Sequence, residues 1–253
     1  MLPKKLQKSP LVEAIWQVNF DVDPSLSVGN LLPGILYSEL EGNKKGYKLL
    51  QLPFAAFPPA IADADENIKY QAKYRIESES DPYLYHIGEH MVSINCRTPY
   101  QGWNSFKNKI LELVSVLQKT SFQFMNHKIS LRYINFFPES FVQSLAAIFN
   151  IKLNIGSFEI NNEPLQIRVG IKDDTCNHAV LLVNPAQLLL SDPNREHIGI
   201  IIDIETTLNN NTQNLFEEIQ KIDFLHERNK TFFFTEILTK DTISRLLPVY
   251  DEE

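Results

Sequence analysis

Glycine is scarce, with nine in 253 residues. Neither Gly-x-x-x-x-Gly-Lys nor Gly-x-Gly-x-x-Gly occurs, so the common backbone cradles for phosphate are missing. Cysteine is scarcer still. Cys96 and Cys176 make no disulfide framework, and without a Cys-x-x-Cys pair there is no zinc site of the usual spacing. Such sparing use of cysteine points to a cytoplasmic location. The chain also lacks a Gly-x-Ser-x-Gly elbow and a His-Glu-x-x-His helix. Nothing in these patterns implies a cofactor.

Long apolar runs are absent as well. The longest, from Ala179 to Leu190, is interrupted by Asn184-Pro185 and falls short of the roughly 20 residues a spanning helix needs. The basic start, Met1 to Lys8, has no apolar stretch after it, so no secretory signal is expected. Positive charge is thin in the second half. Residues 138–253 hold 9 Lys and Arg against 18 Asp and Glu, a net of −9, whereas residues 1–137 hold 15 against 13, a net of +2. Broad nucleic-acid binding needs a basic footprint and is not expected. The acidic half suits a basic partner or simply keeps the chain in solution.

What is present is ample material for a core. Apolar residues make up 43% and charged residues 22%, with sixteen Phe and nine Tyr. A chain of this length buries roughly three quarters of its unfolded surface and folds without staples. It forms one large domain or two, with halves at 1–137 and 138–253.

Period-two alternation, the mark of a half-buried strand, recurs along the chain. Val12, Ala14, Trp16, Val18 and Phe20 share one face, opposite Glu13, Gln17, Asn19 and Asp21. Ile68 to Glu77 alternates next, then Met91 to Cys96, Leu165 to Lys172 and Ile198 to Glu205. Alternation with a wet face belongs to antiparallel sheets, because parallel strands are covered on both sides. The polar faces, with Glu13, Gln17, Lys69, Lys73, Arg75, Arg168, Asp203 and Glu205, are expected to meet solvent, a groove or a partner.

Helical spacing appears twice. Trp103, Phe106, Ile110, Leu113 and Leu117 form one stripe. Leu215, Ile219, Ile222 and His226 form another, after a capping run at Asn209 to Thr212. Thr239 looks like the cap of a last short helix ended by Pro248, Phe232 to Leu238 fits helix or strand, Pro53 to Pro59 an extended loop, and 139–150 a short connecting helix. The expected architecture is α+β, with antiparallel sheet and helices packed on one face, each half a strand meander followed by a helix.

Chemistry concentrates at Leu131-Arg132-Tyr133-Ile134-Asn135, where a charge and an amide sit inside a strand-forming run. Buried, Arg132 needs a carboxylate partner, and Glu13, Asp203 and Glu205 are the candidates. Alternatively its fork anchors a phosphate or carboxylate ligand that Asn135 orients. Asp203 and Glu205, two apart on one strand face, could hold a divalent ion together with Glu13 or Asp173-Asp174. Cys176 with His178, and His86 with His90, are pairs without further ligands, better read as structural. Trp103 and Tyr100 flank Gly102 at a helix entrance, as core or as an aromatic platform.

Three stretches together, Pro10-Leu11-Val12-Glu13-Ala14-Ile15, Tyr100-Gln101-Gly102-Trp103 and Leu131 to Asn135, resemble a sporadically distributed family of bacterial and archaeal proteins without an established activity. The resemblance spans most of the chain and implies an accessory gene set, such as defence or toxin–antitoxin components. Two readings follow. One is a non-catalytic binding or regulatory protein acting through contact with another protein. The other is a metal-dependent hydrolase or nucleotide-processing enzyme, with Glu13, Asp203, Glu205 and Arg132 converging in one pocket.

Overall fold

A computed structural model of the chain describes residues 2–23, 26–41, 46–57, 65–188, 198–209 and 214–250. Strands run in the order β1 (Lys5–Leu6), β2 (Leu11–Asp21), β3 (Lys48–Gln51), β4 (Tyr74–Glu77), β5 (Tyr83–Ile87), β6 (Met91–Arg97) and β7 (Met125–Pro138). They continue with β8 (Leu153–Ile155), β9 (Phe158–Ile160), β10 (Leu165–Lys172), β11 (Cys176–Gln187), β12 (Ile198–Leu208) and β13 (Pro248–Val249). The longer helices are α1 (Val28–Glu41), α2 (Trp103–Lys119), α3 (Ile222–Phe232) and α4 (Lys240–Arg245). Nine strands join one sheet in the order β10-β11-β12-β7-β2-β6-β5-β4-β3. The fold is α+β with a large antiparallel sheet, and no helix among the described residues is long and apolar enough to cross a membrane.

The chain divides into two compact units. Unit one comprises Met1–Val12, Arg132–Thr206 and Phe224–Glu253, and unit two comprises Glu13–Leu131 and Thr207–Asp223.

In unit two, Ala14, Trp16, Val18 and Phe20 of β2 are buried, as the alternation requires. Their cross-strand neighbours on β6, Cys96, Ile94 and Val92, are buried with them. Phe106, Ile110, Leu113 and Leu117 of α2 face this apolar side, and Phe106 lies parallel to Tyr83 of β5 at 6.3 Å between ring centres. Val28, Leu32 and Leu36 of α1 are buried at every fourth position. No helical spacing had marked α1, because Leu31 and Ile35 on its outer side stay exposed and Pro33 and Gly34 interrupt it.

The expected strand from Ile68 to Glu77 is shorter than its alternation. Residues Glu66–Lys69 make a helical turn instead, with the Ile68 and Lys69 amides bonded to the Asp65 carbonyl, and only Tyr74–Glu77 pairs as β4. Lys73, expected on a wet face, is buried, with its ammonium 3.0 Å from the equally buried Glu89. Glu89 also accepts the Gly29 amide at the start of α1. One carboxylate therefore meets a cation and a helix N-terminus, where negative charge is favoured. The polar side of β6 is likewise not wet: Met91, Ser93 and Asn95 are buried.

In unit one, Ile200, Ile202 and Ile204 of β12 form a core with Val180 and Leu182 of β11, Phe137 of β7, and Phe233, Ile237 and Leu238 beyond α3. The helical path runs on past Arg228 and Asn229, a point the apolar spacing left open. After α3 it widens into a π turn over Phe233–Ile237, with the Leu238 amide bonded to the Phe233 carbonyl. This settles Phe232 to Ile237 as helical. The exit is tied down by Asn150 N–H to the Ile237 carbonyl and Thr239 N–H to the Ile148 carbonyl. Thr239 caps α4 as expected, accepting from the Thr242 amide. The cap before the turn at Leu215–Glu218 is Asn214, while 210–212 of the expected capping run lie outside the described residues. The Pro-rich loop contains a single turn at Pro53–Ala56, with 58–59 outside the described residues. Residues 139–150 hold two short turns, Glu139–Phe141 and Leu145–Ile148.

Lys73→Met is expected to destabilise the protein by about 3 kcal/mol in urea melts, because Glu89 would be left charged and buried without its cation. Adding Glu89→Gln should recover part of that loss, since a neutral amide still accepts from the Gly29 amide.

Candidate functional site

Unit one carries an open groove of about 590 Å³. One wall is the face of β10 and β11 that shows Ile167, Val169, Ile171, Val180 and Leu182. These residues share a face because β10 and β11 pair antiparallel with Ile167 opposite Leu182 and Val169 opposite Val180. The other wall is the end of α3 and the π turn, through Arg228, Phe232, Thr235 and Ile237. The widened turn brings side chains to the groove that a regular helix would space differently, and such turns recur at functional sites. A volume of this size and a mostly apolar lining are typical of ligand clefts.

The apolar surface continues onto a hairpin. β8 and β9 pair with Leu153 opposite Ile160 and Ile155 opposite Phe158, so all four side chains share one face. Gly156, with φ 60°, takes the first of the two turn positions, where positive φ is required. Leu153 lines the groove, while Ile155 and Phe158 are 70% and 74% exposed.

One end of the groove is polar. Asp173 closes the β10–β11 turn, its Oδ1 accepting from the Thr175 amide at 2.7 Å and the Cys176 amide at 2.6 Å. Its Oδ2 pairs with the Arg228 guanidinium of α3. Burial alone would raise the Asp173 pKa, but these bonds outweigh it and hold the carboxyl well below the usual range. The His178 ring stacks on Phe232 with centres 4.1 Å apart. Its Nδ1 lies 2.9 Å from Thr206 Oγ1 and its Nε2 3.4 Å from Asp173 Oδ2. The ionised Asp173 can only accept, so the neutral imidazole carries its proton on Nε2 and Nδ1 accepts from the Thr206 hydroxyl, which itself accepts from Asn229 Nδ2 at 2.8 Å. Burial pushes the His178 pKa down, against the upward pull of Asp173.

Asp173, His178 and Thr206 have the connectivity of an acid–base–nucleophile relay. Thr206 is 0% exposed, however, and a hydroxyl sealed in the core cannot reach a substrate. The chain of bonds therefore orients the groove wall.

Of the residues singled out in the sequence, Asp173 and His178 line the groove, and the others lie elsewhere. Arg132 meets Asp203 with both arms of its fork, Nε at 2.7 Å from Oδ1 and Nη2 on Oδ2. Of the three carboxylates that could answer it, Asp203 does so, and it is buried rather than on a wet face. Glu205 is half-buried on the same strand, and Asn135 is buried. These four belong to unit one. Glu13, Tyr100 and Trp103 belong to unit two. Glu13 accepts from Asn95 Nδ2 at 2.8 Å. Trp103 is only half-buried and donates from Nε1 to Asp223 at 2.8 Å, while Tyr100 packs edge-on against Phe106. None of the seven lines the groove.

Among the described residues, no group of three His, Cys, Asp or Glu is placed to hold a metal ion. His86 Nδ1 lies 3.3 Å from Asn95 Oδ1, and His90 Nδ1 lies 3.2 Å from the Phe20 carbonyl. Cys96 and Cys176 are buried free thiols, and burial pushes the Cys96 pKa up to about 11. No family model matches the chain, and no curated protein matches it.

An imidazole whose pKa burial holds below the ordinary 6.5 takes up its proton more readily in the unfolded chain than in the folded one. Below that pH the unfolded state binds more protons, so stability falls as pH drops through the unfolded value and is unaffected above it. Unfolding free energy is expected to decline between about pH 7.5 and about pH 5, and less steeply in His178→Gln. Burial lowers His86 in the same sense, so some slope remains. Equal slopes in both proteins would contradict the buried, neutral assignment of His178.

Proposed function

We propose that this protein is a non-catalytic binding protein whose contact surface is the groove of unit one, and whose occupant is a segment of another protein. The observation that carries this reading is the apolar lining of the groove together with a hairpin face on which Leu153, part of that lining, sits beside the exposed Ile155 and Phe158. Exposed apolar patches of that kind mark interaction sites. The relay at the groove, from Asp173 through His178, ends in the sealed hydroxyl of Thr206. The two free, buried thiols fit a reducing cytoplasmic setting. A partner from the same accessory gene set, of the defence or toxin–antitoxin kind, is what the motif resemblance implies. The metal-dependent reading gains no support from the contacts, since Arg132 occupies both oxygens of Asp203 and Asn95 occupies Glu13.

Val169 lies in the groove and is 45% exposed, so Val169→Asp should leave the melting midpoint almost unchanged. Purified from the native host, the wild type should carry one stoichiometric protein through successive columns, and the variant should lose it. A wild type that purifies alone, or that turns over a substrate, would overturn the reading.

A further inference from the structure

We infer that β10 is a docking edge that extends the sheet by one strand, and that the incoming strand alternates apolar and acidic residues. The inference rests on the binding reading above and names the chemistry of the partner.

β10 ends the strand order, and among the described residues it pairs with β11 alone. The phase of its hydrogen bonding follows from the turn. The Asp173 amide donates to the Cys176 carbonyl at 2.9 Å, which makes those two a hydrogen-bonded pair. Pairs alternate along an antiparallel ladder, and the register is constant from Leu165 to Lys172. Leu165, Ile167, Val169 and Ile171 therefore turn their amides and carbonyls toward β11. Gln166, Arg168, Gly170 and Lys172 turn theirs outward, where the described chain offers no neighbouring strand. An eight-residue edge of this kind is a template for β-augmentation.

The two faces of the edge specify the guest. Ile167, Val169 and Ile171 project over the groove, so alternate residues of an added strand would stand over apolar surface. Arg168 and Lys172 project on the other face, exposed and, among the described residues, without an ion pair. Gly170 between them has nothing within 4 Å of where a Cβ would stand, so that face of the strand is open there. An added strand would carry acidic residues opposite Arg168 and Lys172, four apart. A second copy of this edge paired antiparallel about Gly170 would set Arg168 across from Lys172, so the two cations disfavour that register.

The test uses the full chain and a synthetic peptide, acetyl-Thr-Val-Glu-Val-Thr-Ile-Glu-Val-Thr-amide, with fluorescence anisotropy for affinity and hydrogen exchange for location. The wild type should bind it, with slowed exchange at the amides of Arg168, Gly170 and Lys172. Reversing both cations (Arg168→Glu with Lys172→Glu) should weaken binding about tenfold, and a peptide with Lys in place of Glu should restore it. Gly170→Pro removes an outward amide without touching the β10–β11 ladder, a position where an edge strand tolerates proline, and should abolish binding. No binding by the wild type, or unchanged affinity in the cation-reversed and Gly170→Pro variants, would overturn the edge assignment. If the native partner is lost in Val169→Asp but kept in Gly170→Pro, the groove stands as the contact surface and strand addition falls. If it is kept in both, the groove reading falls as well.

Discussion

A single carboxylate fixes the shape of the groove. Asp173 gathers two amides of the β10–β11 turn, the guanidinium of Arg228 and the imidazole of His178. The turn belongs to the sheet and Arg228 belongs to α3, so the anion sets the distance between the two walls. Its depressed pKa keeps the charge in place over the range in which the protein would work. The same charge selects the proton position on His178, which in turn directs the Thr206 hydroxyl and the Asn229 amide. Geometry that elsewhere drives covalent chemistry here holds a wall, because its last member, Thr206 of β12, is fully buried.

Charge at a contact need not follow charge along the chain. Residues 138–253 carry a net of −9, which taken alone suggests a basic partner. The edge within that stretch displays Arg168 and Lys172, both exposed, while several of the acids are engaged internally, Asp203 by Arg132 and Asp173 by Arg228. What meets a partner is the set of charges left outward and unanswered, and on β10 that set is positive.

Elements with one clean period were legible in the sequence. β2, β10 and β12 follow the alternation of their apolar residues, and α2 follows the stripe from Phe106 to Leu117. α1 was hidden because its buried Val28, Leu32 and Leu36 are flanked by exposed Leu31 and Ile35, which blur the contrast between faces. The stretch from Ile68 to Lys73 alternated without becoming a strand, since a helical turn and a buried ion pair satisfied its polar groups locally. The need of Arg132 for a carboxylate could be read in advance and the choice of Asp203 could not, because strand order decides it. The groove was invisible for a plainer reason. It is assembled from segments near residues 150, 167–182 and 228–237, and although Asp173 and His178 could be picked out singly, nothing in the sequence brings Arg228 and Phe232 to them.

The two margins of the sheet are unequal. β3 offers four residues and β10 eight. Fibres grow when each subunit presents a receptive side at both ends, so that every addition recreates the site it filled. Here the longer margin carries two cations that oppose one another in a copy paired about Gly170, and the shorter gives little to grip. The chain is suited to terminate an assembly rather than to propagate one, and a guest strand added at β10 would complete a closed complex of fixed size.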